Sequence, residues 1–428
     1  MHNLLQDKQL AVLGAGRSGQ AAARLCSSQG ARVRLLEQNS SCLSLQEQKA
    51  LQEAGISLEL GGHQPGQLAG AELVVLSPGI PQRSIQHLLQ GSRAEVCSEL
   101  ELASWFVHQP VLAVTGTSGK TTTVQVMAHV LEQAGFKVFL GGNIGVPLSE
   151  YLLGDSEAQL LVLEVSSFQL MHTYSLRPQV ALLLNFAANH LDYHQSLEEY
   201  LGAKLRLFKN QEPVDLAILP QGMRAELQAR QEIGGRQVYF QAATDLECPG
   251  LPGPHNARNL QAAYLACSQF GVEKQGMSQA LQDFQPDPHR LQIVAESQGI
   301  LFVDDSKATT LHALQAALES FSRPILLLAG GRFKGGDPEQ LCALLQSRVK
   351  AAALFGEDRE LLEQAWSGYT RVFTEPGLRQ AMYRLMGIAQ PGDMLLLSPA
   401  TSSFDQFKDY QERGLAFQAL VQEVIRDS

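Results

Sequence analysis

The run Val111-Leu-Ala-Val-Thr115-Gly116-Thr-Ser-Gly119-Lys120-Thr121-Thr122 leaves this chain few folds to choose from. Its first five residues read as a buried strand, two glycines break the pattern, and a helical pattern follows from Thr123 to Ala134. A strand that turns through glycine straight into a helix returns to a parallel neighbour, so the run calls for an open sheet covered by helices. The turn also carries chemistry. Backbone amides of such a loop wrap phosphates, Lys120 reaches the terminal phosphates, and the Thr121 hydroxyl can ligate magnesium. The full pattern wants glycine at position 114, where this chain has valine, so the loop is a shortened form. A plain glycine-rich turn is the alternative, and the strand–loop–helix context disfavours it.

The same alternation recurs along all 428 residues. Further strands are expected at Gln9–Leu13, Arg32–Leu36, Leu73–Leu76, Leu160–Leu163, Val180–Leu184, Ile300–Val303, Ile325–Leu328, Ala351–Phe355 and Met394–Leu397. The prolines around Pro249–Pro254 punctuate the chain, and Pro286-Asp-Pro288 reads as a linker. At about 150 residues per domain this length gives three. We expect an α/β protein with a Rossmann-like amino-terminal domain (1–98), a central P-loop-type domain with a parallel sheet (99–287) and a carboxyl-terminal Rossmann-like domain (288–428). A net charge of −10 argues against a general nucleic-acid or membrane-surface binder. Six scattered cysteines lack metal-ligand spacing and suit a reducing compartment. With no signal-like start and no apolar run near the roughly 18 residues of a membrane span, a cytoplasmic location is expected.

Polar motifs follow strands throughout, and in parallel sheets ligands bind at the strands' carboxyl ends. Gly14-Ala-Gly16-Arg-Ser18-Gly19 has Glu37 about 20 positions on, which satisfies the dinucleotide fingerprint. A nicotinamide or flavin cofactor, another phosphorylated ligand, and tight turn packing without a ligand all remain open from these residues alone. Glu164 ends an apolar strand, where a carboxylate needs magnesium or a buried ion-pair partner. After Asn189-His190-Leu-Asp192, Ser196 and Glu199 form a capping box for a helix running to Phe208. Leu197, Leu201, Leu205 and Phe208 mark its apolar stripe, and Lys204 lies on it. A lysine there snorkels, pairs, loses its proton or is modified. Three more loops follow later strands: Asp304-Asp305-Ser-Lys307-Ala-Thr309, Gly330-Gly-Arg-Phe-Lys334 and Ser398 to Asp405. Their lysines and hydroxyls suit an anionic substrate and developing phosphate charge, with solvated surface loops as the alternative.

In this order the motifs resemble the Mur ligase family, the enzymes that build the peptide of the bacterial cell-wall precursor. The resemblance covers essentially the whole chain and takes in Gly142-Asn143-Ile-Gly145, His255-Asn256, Asn259 and His289-Arg290. The runs Asp304–Thr309 and Ser403-Phe-Asp405 are similar to those of the D-glutamate-adding members. The resemblance implies an ATP-dependent ligase joining D-glutamate to UDP-N-acetylmuramoyl-L-alanine, a monomer, with magnesium and ATP as co-substrate. It implies that Gly116, Thr117, Ser118, Gly119, Lys120, Thr121 and Thr122, with Asn256, Asn259, Arg290 and Asp305, hold ATP. Thr121, Glu164, His190 and a carbamylated Lys204 would hold metal, with Lys120 and Lys307 in the catalytic set. Gly14, Gly16, Ser18, Gly19, Glu37, Gln38, Ser77, Gly79 and Asn143 would bind the UDP substrate, and Thr309, Lys334, Ser403 and Tyr410 the D-glutamate. Departures are Ser118 where the family usually carries asparagine, Phe186-Ala-Ala-Asn189 before His190, the turn Glu37-Gln38-Asn39 without arginine, and Pro254 before His255. A diamino-acid-adding relative, a folylpolyglutamate synthase and a dinucleotide-dependent oxidoreductase are the rivals.

Overall fold

The computed structural model describes residues 4–427 apart from 65, 78, 81, 91, 155–156, 188–192, 231–232, 242–244 and 252. Three sheets organise the chain, with strands of apolar residues that are buried on both faces where helices cover them. The first sheet has β1 (Gln9–Leu13), β2 (Arg32–Glu37), β3 (Ile56–Leu60), β4 (Leu73–Leu76) and β5 (Glu95–Ser98), all parallel, in the order β3-β2-β1-β4-β5. The second has β6 (Val111–Thr115), β7 (Val138–Gly142), β8 (Leu160–Glu164), β9 (Val180–Leu183), β10 (Leu216–Pro220) and β11 (Arg236–Phe240), again all parallel, in the order β11-β10-β9-β6-β8-β7.

The third sheet has β12 (Gln292–Ser297), β13 (Ile300–Asp304), β14 (Ile325–Gly330), β15 (Val349–Phe355), β16 (Arg371–Thr374) and β17 (Met394–Leu397), in the order β12-β13-β17-β14-β15-β16. Only β12 runs antiparallel, joined to β13 by the short turn at Gln298-Gly299. The residues fall into two compact units: 1–241 with 259–280, and 242–258 with 281–428. The first unit holds the first two sheets and the second unit the third.

Topology fixes where ligands can sit. In the first sheet the order reverses at β1, flanked by β2 and β4, and in the second at β6, flanked by β8 and β9. Each reversal opens a crevice at the carboxyl end of the central strand, and those ends carry the two glycine motifs. In the third sheet β13, β17 and β14 are consecutive neighbours, so their three polar loops emerge side by side.

The helix Leu197–Lys209 starts where the sequence predicts, with Ser196 Oγ accepting from Glu199 N at 3.1 Å. The capping box does not close, because the Glu199 carboxylate accepts from Gln195 N instead. Leu197 is 44% exposed and leaves the apolar stripe, whereas Leu201, Lys204, Leu205 and Phe208 are buried on it. Pro254 occupies the first position of helix Pro254–Cys267, where its fixed φ fits and no amide hydrogen is needed.

Candidate active site

The phosphate loop is built from backbone conformations that only glycine tolerates cheaply. Gly116 has φ +151°, and a Cβ there would press on Leu184 and Asn185. Gly119 has φ +81° and precedes helix Lys120–Gln133, and a Cβ there would lie 2.8 Å from the Asn259 amide. The loop between them is gripped by the segment after β9. Ser118 N donates to Asn185 Oδ1 at 2.9 Å, Asn185 Nδ2 donates back to Ser118 O at 3.0 Å, and Ala187 N donates to Thr117 Oγ1 at 3.0 Å. Lys120 Nζ donates to the Gly116 and Thr117 carbonyls at 2.9 and 3.0 Å. Thr122 is buried in the first turn of the helix.

Beside this loop β8 delivers Glu164, only 3% exposed. Its Oε2 accepts from Thr121 Oγ1 at 2.6 Å and its Oε1 from Asn143 Nδ2 at 2.9 Å. The hydroxyl and carboxylate oxygens are hard donors of the kind magnesium prefers, and magnesium is usually held by one or two carboxylates with phosphate and water completing its shell. Thr121 and Glu164 therefore fit the ion. Asn143, placed by the resemblance on the UDP substrate, is seated on this carboxylate.

Lys204 does not snorkel. It is 1% exposed, lies 4.4 Å over the Tyr200 ring, and donates from Nζ to Gly116 O at 2.9 Å. Burial, reinforced by the nearby charge of Lys120, lowers its pKa to about 6. At neutral pH it is an uncharged, nucleophilic amine, the form that carbon dioxide carbamylates. His190, with Asn189, Leu191 and Asp192, lies outside the described residues.

At the first crevice Gly14 has φ +95° and its carbonyl accepts from Ser77 Oγ at 3.2 Å. A Cβ on Gly19 would strike the Gly14 carbonyl, so helix Arg17–Ser28 packs tightly on its own entry loop. Gly16 caps that helix and a Cβ on it would meet open space, Ser18 is half-buried, and Gly79 is exposed. Glu37 ends β2, and its carboxylate accepts from Ala15 N at 2.8 Å and Asn39 N at 2.9 Å. Burial acts to raise its pKa, but hydrogen bonds from the Ala15, Asn39 and Gln38 amides outweigh it, and the net shift is downward. Glu37 thus braces the glycine loop.

In the second unit Asp304 is fully buried and accepts from His289 Nδ1 at 2.7 Å, Gln418 Nε2 at 2.8 Å and Ser306 N at 2.9 Å. Asp305 accepts from Ser398 Oγ at 2.9 Å and Leu291 N at 3.2 Å, and burial pushes its pKa up to about 7. Arg290 lies close enough to oppose that rise, and its own Nε is buried without a hydrogen bond. Lys307 Nζ lies 5.1 Å over the Tyr410 ring and 3.9 Å from Asp287. The Thr309 amide donates to the Lys307 carbonyl at 2.9 Å. Gly330 and Gly331, at φ +130° and +133°, lead to Lys334, whose pKa is lowered by burial and then by Arg413. Arg332 and Ser402 exchange backbone hydrogen bonds, which places Ser403, 3% exposed, next to that loop. Asn256 and Asn259 are buried on helix Pro254–Cys267.

Sequence reasoning missed Asn185, Tyr200 and Arg413. Asn185 stands just past a strand end, which is the one signal that could have marked it. Arg413 is fully buried and donates to Ser306 Oγ and to the carbonyls of Ser306, Thr401 and Gly330. No charge pattern in the sequence announces it.

Three family descriptions match the chain: a Mur ligase MurD-like, N-terminal domain at residues 8–96, a Mur ligase middle domain at 114–246, and a Mur ligase, glutamate ligase domain at 289–401. The UDP-N-acetylmuramoylalanine--D-glutamate ligase of Oleidesulfovibrio alaskensis is 49% identical, over 94% of this chain and 91% of its own length. The enzyme of the same name from Desulfovibrio desulfuricans is 48% identical, over 96% and 95%. The crystal structure of MurF ligase from Thermotoga maritima in complex with ADP superposes with a TM-score of 0.60 at 16% identity, covering 99% of this chain and 97% of that one. With its three matches in consecutive order and relatives this similar over nearly its full length, the chain belongs to the Mur ligase family.

Proposed function

We propose that the protein joins D-glutamate to the alanyl carboxylate of UDP-N-acetylmuramoyl-L-alanine, with ATP converted to ADP and phosphate. One observation carries the reading. Around the Gly116–Thr122 loop the fold gathers Lys120, the Thr121–Glu164 pair and the buried amine of Lys204, a set made for terminal phosphates, and relatives named for this reaction match nearly the whole chain. In this reading residues 1–98 bind the UDP moiety, 99–287 the ATP phosphates, and 288–428 the amino acid.

A carboxylate is a poor electrophile. Its oxygen therefore attacks the γ-phosphorus of ATP, ADP leaves, and the resulting acyl phosphate is attacked at carbon by the D-glutamate amine, which has lost a proton. Phosphate departs and the amide remains. Catalysis is mainly positioning and charge neutralisation. Amides of Gly116 to Thr122 surround the phosphates, and Lys120 turns from its loop carbonyls onto the terminal ones. Magnesium supplies Lewis-acid neutralisation when held by Thr121 and Glu164. Lys204, if carbamylated, would turn a buried neutral amine into an anion able to serve as a metal ligand. Asn256, Asn259, Arg290 and Asp305 hold the nucleotide, and Lys307, Thr309, Lys334, Ser403 and Tyr410 hold the amino acid and the transferred phosphoryl group. At the Gly14–Gly19 crevice Glu37 already gives both oxygens to backbone amides, which disfavours the ribose contact that a dinucleotide cofactor would need. In this reading the protein is a cytoplasmic monomer working on small molecules; no described helix is long and apolar enough to cross a membrane.

The test is phosphate release with ATP and UDP-N-acetylmuramoyl-L-alanine against D-glutamate, L-glutamate, L-lysine, diaminopimelate and D-alanyl-D-alanine. Release with D-glutamate alone is expected. Preference for a diamino acid, or rapid ATP hydrolysis without an amino acid, would overturn the reading.

A further inference from the structure

The loop Gly142–Val146, which follows β7, is fixed at both ends. At one end Asn143 donates its backbone amide to Glu164 O at 2.8 Å and its side-chain amide to Glu164 Oε1 at 2.9 Å. At the other end the Gly145 carbonyl accepts from Arg17 Nη1 at 2.8 Å. The same guanidinium grips Glu150 in a fork, Nε to Oε2 and Nη2 to Oε1, at 2.8 Å each. Arg17 is the first residue of the helix whose amino terminus Gly16 opens, so its backbone belongs to the phosphate-binding end of that helix while its side chain belongs to the second sheet's loop. Beneath it helix Arg17–Ser28 packs on helix Leu148–Leu152.

We propose that Arg17 is a positioning residue that holds the diphosphate-binding helix terminus of the first sheet in register with the Glu164 carboxylate of the second, acting through the Gly142–Val146 loop. This rests on the reading that the UDP end of the substrate lies at Gly14–Gly19 and its reacting carboxylate near Lys120 and Glu164. A substrate spanning both points reacts only if their separation is held, and a misplacement of about 1 Å costs on the order of 100-fold. The clamp itself does little for folding. Arg17 and Glu150 are 58% and 40% exposed at their side chains, and exposed pairs contribute little to stability. Its loss therefore reads in substrate use and not in melting.

The experiment compares Arg17→Ala, Arg17→Lys, Glu150→Ala and the Arg17→Ala/Glu150→Ala pair. Arg17→Ala is expected to lower kcat/KM for the UDP substrate about 10-fold or more, with KM for ATP within about 2-fold and melting within about 3 °C of the parent. Arg17→Lys keeps the charge but not the fork and recovers only part of the loss. The double variant should be no worse than Arg17→Ala, since both changes remove one coupled contact. Unchanged kcat/KM, a parallel rise in KM for ATP, a large melting loss, or additive losses in the double variant would each overturn the proposal. If the parent enzyme fails to use the UDP substrate, the reading of function fails instead. Calorimetric binding of UDP, which reaches only the first crevice, is expected to be equal in the parent and Arg17→Ala proteins, and a clear loss would show that Arg17 holds the diphosphate itself and overturn the positioning role.

Discussion

The fold strongly alters the chemistry of Lys204. A lysine of ordinary pKa 10.5 has about one neutral amine per 1,000 at pH 7.5, whereas one near 6 has about 30 neutral for each ammonium. The shift corresponds to roughly 6 kcal/mol against the charged form. The sign for stability follows from linkage. The folded chain holds this proton less well than the unfolded chain, so the unmodified residue costs nothing above pH 10.5 and progressively more as pH falls towards 6. At pH 7.5 that cost is roughly 4 kcal/mol. In buffer free of carbon dioxide Lys204→Met should therefore be the more stable protein at pH 7.5, with the advantage shrinking by pH 10, as measured by urea denaturation. Activity should run the other way. Removing carbon dioxide should slow the parent enzyme and bicarbonate should restore it, with a carbamate signal in 13C NMR that Lys204→Ala lacks. Lys204→Ala should lose at least about 100-fold in turnover, recovered in part by short-chain carboxylates that replace the missing anion. Full activity without carbon dioxide, together with an active Lys204→Ala protein, would refute the reasoning.

Lys334→Ala and Ser403→Ala should each raise the D-glutamate requirement about 10- to 150-fold, the loss of one charge-assisted contact of about 1.5–3 kcal/mol, while the affinity for the UDP substrate stays put; a matching loss of UDP-substrate affinity would show these loops serve something else. Asp305 has its folded pKa raised from 3.8 to about 7, so its contribution to stability is present below pH 3.8 and lost as pH rises through 7. The stability difference between the parent and Asp305→Asn, followed by chemical denaturation from pH 4 to 8, should shift in favour of the asparagine protein as pH rises, and a flat difference would count against a buried, hard-to-ionise carboxyl.

What the sequence made legible follows burial. Ten strands were expected, and every one lies inside its sheet, where two covered faces demand an unbroken apolar run such as Leu326-Leu-Leu328 or Leu160-Leu-Val-Leu163. The strands left unrecognised are β3, β5, β7, β11, β12 and β16, which are the six sheet edges, together with β10 beside one of them. An edge strand such as Arg236-Gln-Val-Tyr-Phe240 or Arg371-Val-Phe-Thr374 is half exposed and carries charge, so its pattern is that of a loop. The site divides in the same way. Residues marked by a glycine loop that opens a helix, by a carboxylate ending an apolar strand, or by a charge on an apolar stripe were visible, as Thr121, Glu164 and Lys204 show. Asn185, Tyr200 and Arg413 were not, because Asn185 and Arg413 hold backbone groups, and Tyr200 meets the Thr117 hydroxyl, that come near them only once the sheets are assembled.

The second unit shows why that last class matters. Lys334 and Arg413 are cations whose pKa values are both lowered chiefly by burial, Arg413 to about 10 and Lys334 further disfavoured by Arg413 itself. Among the described residues no carboxylate forms an ion pair with Arg413, and its guanidinium is held by carbonyls of the Gly330, Ser306 and Thr401 loops. A buried charge is costly, and Arg413 is offset only through space, by the carboxylates of Asp405 and Asp304. D-glutamate brings two carboxylates. In the proposed reading the loops after β13, β14 and β17 hold a positive field fixed before the substrate arrives, with Arg413 tying the three together and Lys334 reaching out of them. The amino-acid preference of the enzyme then comes from the placement of charge, and the attacking amine, which must be unprotonated, is kept so by the same field.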